Sequence, residues 1–310
     1  MHIDWSLTSI TVNSVIKLAL MALLGIAGAK MGIMDEVGTA KASKIMLNIG
    51  MPMMLLAGFF TPFDSSRLSE MLWCFLASFM SEFIAIILCR FFIKRKNNPD
   101  AVAEECAAIF SNCGAIGLPL AVMIMGQNAA FYVASYLTIN SFYLWIYAPL
   151  ILSGKVDAKS VKKALLSPCL IAIYVGLVIF FVGIPIPSIA QEAVNTVSGC
   201  VTPLAMLTMG AMIYRSDIKA LFKNARMYYT CFLKLFLLPL GFLVFLKLAH
   251  VPSGPALASY IVFACPTASA VPVLVEDSGR NGGYAAGITC VTTLLSMITI
   301  PVLVAIYSFW

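Results

Sequence analysis

The chain has 310 residues, of which 61% are hydrophobic and 11% charged, and it carries a formal net charge of +6 at pH 7. Soluble domains carry about 25% charged residues, so polar surface is too scarce to cover a water-soluble globule of 33.5 kDa with mean hydropathy +0.95, and a membrane protein is indicated. At about 20 apolar residues per crossing, ten crossings leave only short loops and exclude a separate catalytic or DNA-reading domain; the dispersed basic residues read as orientation signals, with no nucleic-acid partner.

The N-terminal stretch MHIDWSLTSITVN has Asp4 and no Lys or Arg before Lys17, so it lacks the basic region of a cleaved signal peptide and the first segment is expected to be retained. Apolar runs bounded by charged or Gly/Pro-rich breaks give spans at roughly 8–29, 44–62, 70–90, 103–125, 130–151, 166–184, 194–213, 226–248, 255–275 and 285–307. Positive charge concentrates in alternate loops. Lys30, Lys41 and Lys44 follow span 1; Arg90, Lys94, Arg95 and Lys96 follow span 3; Lys155, Lys159, Lys162 and Lys163 follow span 5; Arg215, Lys219, Lys223 and Arg226 follow span 7; and Arg280 follows span 9. Only Arg67 and Lys247 lie on the other side, so these loops are expected in the cytoplasm and both termini outside a multi-pass cell membrane. Trp5, Trp73, Trp145 and Trp310 fall near span ends, as interface aromatics do. The nine cysteines form no CxxC or Cys/His cluster and read as small buried hydrophobes.

Prolines 52, 99, 119 and 149 recur 151 to 153 residues later as 203, 252, 272 and 301, and glycines 25, 32, 58 and 126 recur as 176, 183, 210 and 279. The shared register predicts an all-α membrane protein of two five-helix repeats, 1–153 and 154–310. Five is odd, so the second copy enters from the opposite side; inverted repeats are mostly a transporter architecture. Within the repeat, Ser111-Asn112-Cys113-Gly114-Ala115-Ile116-Gly117-Leu118-Pro119 in span 4 and Cys265-Pro266-Thr267-Ala268-Ser269-Ala270-Val271-Pro272 in span 9 predict breaks near mid-membrane, because proline removes a backbone donor and displaces a carbonyl. Two breaks at symmetric depth point to a site between them, with half-helix N-termini favouring an anion such as a carboxylate. Paired kinks without a ligand are the alternative.

The string Asn112-Cys113-Gly114-Ala115-Ile116-Gly117-Leu118-Pro119-Leu120 resembles the N-x-G-x-x-G-x-P-L signature of the auxin efflux carrier family, which includes plant PIN carriers and bacterial permeases for malonate or malate. Pro266-Thr267-Ala268 followed by Glu276, Gly32 to Glu36, and Asn48 with Pro52 are similar to further family segments, so the resemblance runs end to end. Pro272 and Ala270 depart from it. The resemblance implies a ten-helix fold akin to bile-acid/sodium symporters, with a scaffold of spans 1, 2, 6 and 7 and an elevator-like transport domain of spans 3–5 and 8–10. It also implies substrate beside crossing helices 4 and 9. The residues expected to bind it are Asn112, Gly114, Gly117, Pro119, Pro266, Thr267 and Ser269, with Asn48, Asn140 and Tyr143 as further lining.

Glu82 and Lys234 lie in spans 3 and 8, 152 residues apart, and mutual pairing is the economical arrangement for two intramembrane charges. The resemblance implies that Lys234 is a tethered cation in place of sodium, with Glu82 as proton acceptor; a purely structural salt bridge is the alternative. Lys17, one turn after Asn13, either attracts the anion or snorkels to the interface.

The only histidines, His2 and His250, lie near span ends, and neither a zinc motif, an intramembrane Asp dyad, a P-loop nor a dinucleotide fingerprint occurs, so no enzyme and no cofactor is expected. The reading is a carrier of a small organic anion, a mono- or dicarboxylate, with the lipid bilayer and a coupling proton as its other partners. A homodimer is compatible with this. A sodium-coupled organic-anion symporter of the bile-acid type and a non-transporting receptor are the alternatives.

Overall fold

The computed structural model describes residues 5–61, 63–96, 98–155, 158–215 and 225–309. His2, Asp4, Lys219, Lys223 and Trp310 lie outside the described residues, as do the side chains of Trp5, Lys159 and Lys163. Described regular structure is helical apart from one two-residue bridge. In order, the helices are α1 Trp5–Lys30, α2 over 36–57, α3 Ser65–Phe92, α4 Ala101–Ile109, α5 Cys113–Met125, α6 over 129–153 and α7 Ala158–Leu165. They continue as α8 Pro168–Val182, α9 Ser188–Gly199, α10 Val201–Arg215, α11 over 225–248, α12 Ser253–Phe263, α13 Val271–Asp277 and α14 Gly282–Phe309. Helices suit an apolar chain because each backbone group finds its partner within the segment.

Among the described residues, five stretches are long and apolar enough to cross a membrane: Ser6–Lys30, Ser65–Phe92, Ser188–Arg215, Arg226–Leu248 and Gly282–Phe309. Cys113–Met125, Pro168–Val182 and Ser253–Phe263 are shorter apolar helices, two of them because their spans are interrupted. The apolar run 103–125 is two helices, α4 and α5, and the run 255–275 is likewise α12 and α13. Asp64 starts α3 by accepting from the Ser66 N–H at 3.2 Å, and Ser167 precedes Pro168 at the start of α8, both ordinary N-terminal devices.

The prolines act differently from expectation. Pro119 and Pro272 do not lie in the breaks; they sit in the first turns of helical segments beyond them. Of the three prolines in the two strings, Pro266 alone occupies an unwound stretch. Among the described residues, four π turns, Met46–Gly50, Cys113–Gly117, Tyr143–Tyr147 and Leu233–Leu237, each end two residues before a proline: 52, 119, 149 and 239. Proline donates no hydrogen bond and crowds the carbonyl four residues back. Widening one turn to the i→i+5 register carries the chain past that obstacle without breaking the helix.

Glycines govern two features of the packing. Gly32 and Gly183 have φ of 76° and 69°, and Gly126 and Gly279 have φ of 77° and 75°, so members of each sequence pair share a positive φ, open to glycine, at or just beyond the ends of their helices. Helices α1 and α10 pack backbone to backbone: a Cβ on Gly25 would overlap the Leu207 carbonyl, and one on Gly210 the Ala22 carbonyl. Such contact is how helices associate where no hydrophobic drive separates them from lipid. At the centre lies α4, every residue of which is buried. Gly210→Val should therefore force α10 off α1 and cost about 1–3 kcal/mol by overpacking, read as a lower melting temperature in detergent, while the exposed Gly199→Ala should leave it unchanged.

Candidate functional site

The two interrupted helices cross at their breaks. The chain at Phe110 is extended (ψ 118°), and Ser111 faces Thr267 as one antiparallel bridge. The Asn112 N–H donates to the Pro266 carbonyl at 2.7 Å and the Ala268 N–H to the Phe110 carbonyl at 2.8 Å. Side chains repeat the exchange. The Ser111 hydroxyl donates to the Phe263 carbonyl at the end of α12 (2.8 Å), and the Thr267 hydroxyl to the Ala107 carbonyl near the end of α4 (2.7 Å). Thr292 of α14 accepts from the Thr267 N–H at 3.2 Å.

Lys234, in the π turn of α11, is fully buried behind this crossover. Its Nζ donates to Ser111 Oγ at 2.5 Å and to the Ile109 carbonyl at 3.3 Å, and lies 5.2 Å from the centre of the Phe263 ring. A cation at the carbonyl end of α4 meets the negative end of that helix dipole. Glu82 of α3 is equally buried, but it accepts from Asn140 Nδ2 of α6 at 2.5 Å, and its Oε2 has no partner. The expected direct pairing of Glu82 with Lys234 is not found: no ion pair within 4 Å joins them. Each charge is instead held by neutral polar groups on its own side, Lys234 by a helix end and Glu82 by an amide. Ser111→Ala would leave both the Lys234 ammonium and the Phe263 carbonyl short of a partner. It should cost about 1–3 kcal/mol, seen as a lower melting temperature with Ser111→Thr retaining most of the stability.

A cavity of about 700 Å³ meets the crossover. One wall is α2 and α10, including Thr39, Ser43, Met46, Thr208, Met212 and Arg215. The other is α5, α13 and α14 with the second break, including Asn112, Ala115, Ser269, Val273, Thr289 and Cys290. Of the residues expected to bind substrate, Asn112 and Ser269 line this space, each just ahead of a downstream half-helix. The others do not. Gly114 packs against the Met51 methyl, Gly117 against Val262 and Cys265, and Pro119, Pro266 and Thr267 are buried in packing or in the bridge. Asn48 is exposed away from the cavity with its amide on the Lys44 carbonyl (2.8 Å), Asn140 is committed to Glu82, and Tyr143 lies in a π turn outside the lining. Lys17 and Asn13 are on an exposed face of α1 and do not reach the site, which fits snorkelling.

Several charged residues take on unexpected roles. Glu104 and Glu105, both fully buried in α4, each meet arginine: Arg226 Nε reaches Glu104 at 2.7 Å, and Arg95 grips Glu105 through two bonds of 2.6 and 2.7 Å with Arg90 at 3.6 Å. The Tyr284 hydroxyl (3.1 Å) and Asn98 amide (3.0 Å) also donate to Glu104. These arginines therefore tie helix ends together besides marking topology. A buried acidic pair just inside an apolar run, downstream of a basic loop, was the available signal. Arg215 was the other omission; it shares a helix face with Thr208 and Met212, at spacings of seven and three. Among the described residues no three His, Cys, Asp or Glu side chains gather as a metal site.

Sequence comparisons relate the chain to proteins of membrane transport. Residues 153–304 match the family model described as "Membrane transport protein". A Rhizobium meliloti (strain 1021) protein named "Putative malonate transporter" is 22% identical over 228 residues, covering 70% of this chain and 71% of that protein. This helical, apolar chain, with a cavity at two crossing breaks, is thus similar to membrane transport proteins, to the family model over its second half and to the Rhizobium protein over 70% of its length.

Proposed function

We propose that this chain is an auxin-efflux-carrier-like permease, an elevator-type secondary carrier of a small organic anion, a mono- or dicarboxylate, in the cytoplasmic membrane. The observation that carries the reading is the 700 Å³ cavity that reaches both interrupted helices at Asn112 and Ser269. There the Asn112 amide and the first turn of α5 offer hydrogen-bond donors and a partial positive charge to a carboxylate. Malonate, from the name of the Rhizobium relative, is the first compound to try.

In this reading the chain is two inverted five-helix repeats, 1–153 and 154–310, making ten crossings, and the matched positive φ of Gly32 with Gly183 and of Gly126 with Gly279 supports it. The scaffold is α1, α2, α8, α9 and α10; the moving body is α3–α6 with α11–α14. The cavity lies between one wall from each. The arginine–glutamate cluster joins α3, α4, α11 and α14, all within the proposed moving body, which favours its travel as a unit. Loop charge sets Arg215 and the cavity mouth toward the cytoplasm and both termini outside. A second copy in a homodimer would anchor the scaffold.

Lys234 acts here as a built-in cation at the α4 carbonyl end, so flux needs no sodium. Glu82, with one oxygen unpartnered, is the proton acceptor that couples transport to pH. In liposomes, labelled malonate and related carboxylates should accumulate or exchange only with the protein present, without sodium. Asn112→Ala should raise KM about 10- to 100-fold, the loss of one hydrogen bond to a charged group at about 1.5–3 kcal/mol, and wild-type kinetics would remove Asn112 from the site. Glu82→Gln should flatten the pH profile of uptake; an unchanged profile would exclude the proton role. Sodium-dependent flux would overturn the part given to Lys234.

A further inference from the structure

Arg215 ends α10 at the cavity mouth. Its Nη2 donates to Thr39 Oγ1 at 2.5 Å and its Nη1 to the Met34 carbonyl at 3.4 Å. Thr39 is buried, and its hydroxyl donates to the Asp35 carbonyl at 2.7 Å, so its remaining lone pairs are free for the guanidinium. The arginine is thus fixed against α2. Its environment is unlike that of Arg90, Arg95 and Arg226, which each meet a buried carboxylate. Among the described residues Arg215 has no carboxylate within 4 Å; Glu36 lines the same mouth without forming an ion pair with it. A guanidinium presents five N–H donors in a planar fork suited to a carboxylate.

The mouth and the crossover are well separated. Lining residues recur along one face of α10 at Ala205, Thr208, Met212 and Arg215. Val201 packs at Gly50, and Met51 at Gly114, which sets the start of α10 level with the crossover. At about 1.5 Å of rise per residue the lined face is about 15 Å long, too far for a small carboxylate to touch Arg215 and Asn112 together.

We infer that Arg215, positioned by Thr39, is a substrate-capturing and anion-selecting residue: a first station that binds the carboxylate entering from this face before it moves to the crossover. The inference rests on the reading of the cavity as an anion path. It separates two roles along one route, a charged station that admits anions at the mouth and a neutral, dipolar one that holds them at depth.

Labelled malonate uptake into inside-out vesicles, which present the proposed cytoplasmic face, and into whole cells, which present the other, is the test. Arg215→Ala should raise KM at least tenfold in inside-out vesicles while kcat stays within twofold and KM in cells is unchanged. Arg215→Lys should recover part of the loss, Arg215→Gln none, and Thr39→Val should raise KM about threefold. In detergent, malonate should stabilise Arg215→Ala against heat only at about tenfold higher concentration than it does the wild type. Wild-type flux with an unaltered KM in Arg215→Ala, an equal rise on both faces, or full recovery in Arg215→Gln overturns this inference alone. Wild-type protein that neither transports malonate nor is stabilised by it overturns malonate as the substrate, and the capture role with it.

Discussion

Backbone that leaves its helix inside a membrane must find partners at once, because each unpaired amide or carbonyl in hydrocarbon costs several kcal/mol. Here two such departures cancel. Phe110 to Asn112 and Pro266 to Ala268 lie side by side and exchange two backbone hydrogen bonds, as adjacent strands would. Ser111 and Thr267 then reach past the bridge to carbonyls at the opposite helix end. Neither break is tenable alone. The crossover is therefore one structural unit made from residues more than 150 positions apart, and the placement of α4, α5, α12 and α13 follows from it.

The polar side chains divide into two kinds around that unit. Behind it, Lys234 meets a serine and a helix-end carbonyl, and Glu82 meets an amide. On the cavity side, Asn112 and Ser269 adjoin open space. In the proposed reading, an ammonium fixed at the carbonyl end of α4 belongs to the chain and cannot leave with the substrate. Burial of an unpaired carboxylate oxygen at Glu82 is costly unless the group can bind a proton or a water, and that cost is the physical argument for a coupling role there. The Glu104 and Glu105 cluster differs from both. Its carboxylates are saturated by arginine, tyrosine and asparagine, which suits a permanent tie between helices.

Much of the helical layout was legible because apolar length and loop charge are additive features of composition: the apolar runs fall on helices, with ends displaced by a few residues. The location of the breaks was only partly legible. Pro119 and Pro272 drew attention to the right segments, yet the unwinding occurs upstream, since a π turn lets a helix absorb proline and since Ser111 and Thr267 offer a better alternative to helical bonding than Pro119 does. Asn112 and Ser269 were recognised beside the cavity because they flank the breaks. Asn48 and Tyr143 were misplaced because polarity at membrane depth says nothing about which way a helix face turns. Glu82 and Lys234 are electrostatic neighbours, as expected, but without the direct ion pair that was expected of them. Opposite charge and matching repeat position suggest contact, but contact requires an approach that the intervening geometry replaces with closer neutral partners.

Arg215 illustrates the limit most clearly. In the chain it is one of many basic residues following an apolar run, and loop charge alone assigns it to topology. Its difference from Arg226, eleven positions later, appears only when helix faces are assembled: Arg226 finds Glu104, whereas Arg215 finds a threonine, a carbonyl and a cavity. A cation kept in place by neutral groups, beside a space that also reaches a polar crossover, retains its capacity for an anion. The same residue can thus hold the loop on its side of the membrane and meet the solute there. Both tasks need only its charge at that helix end, so neither opposes the other.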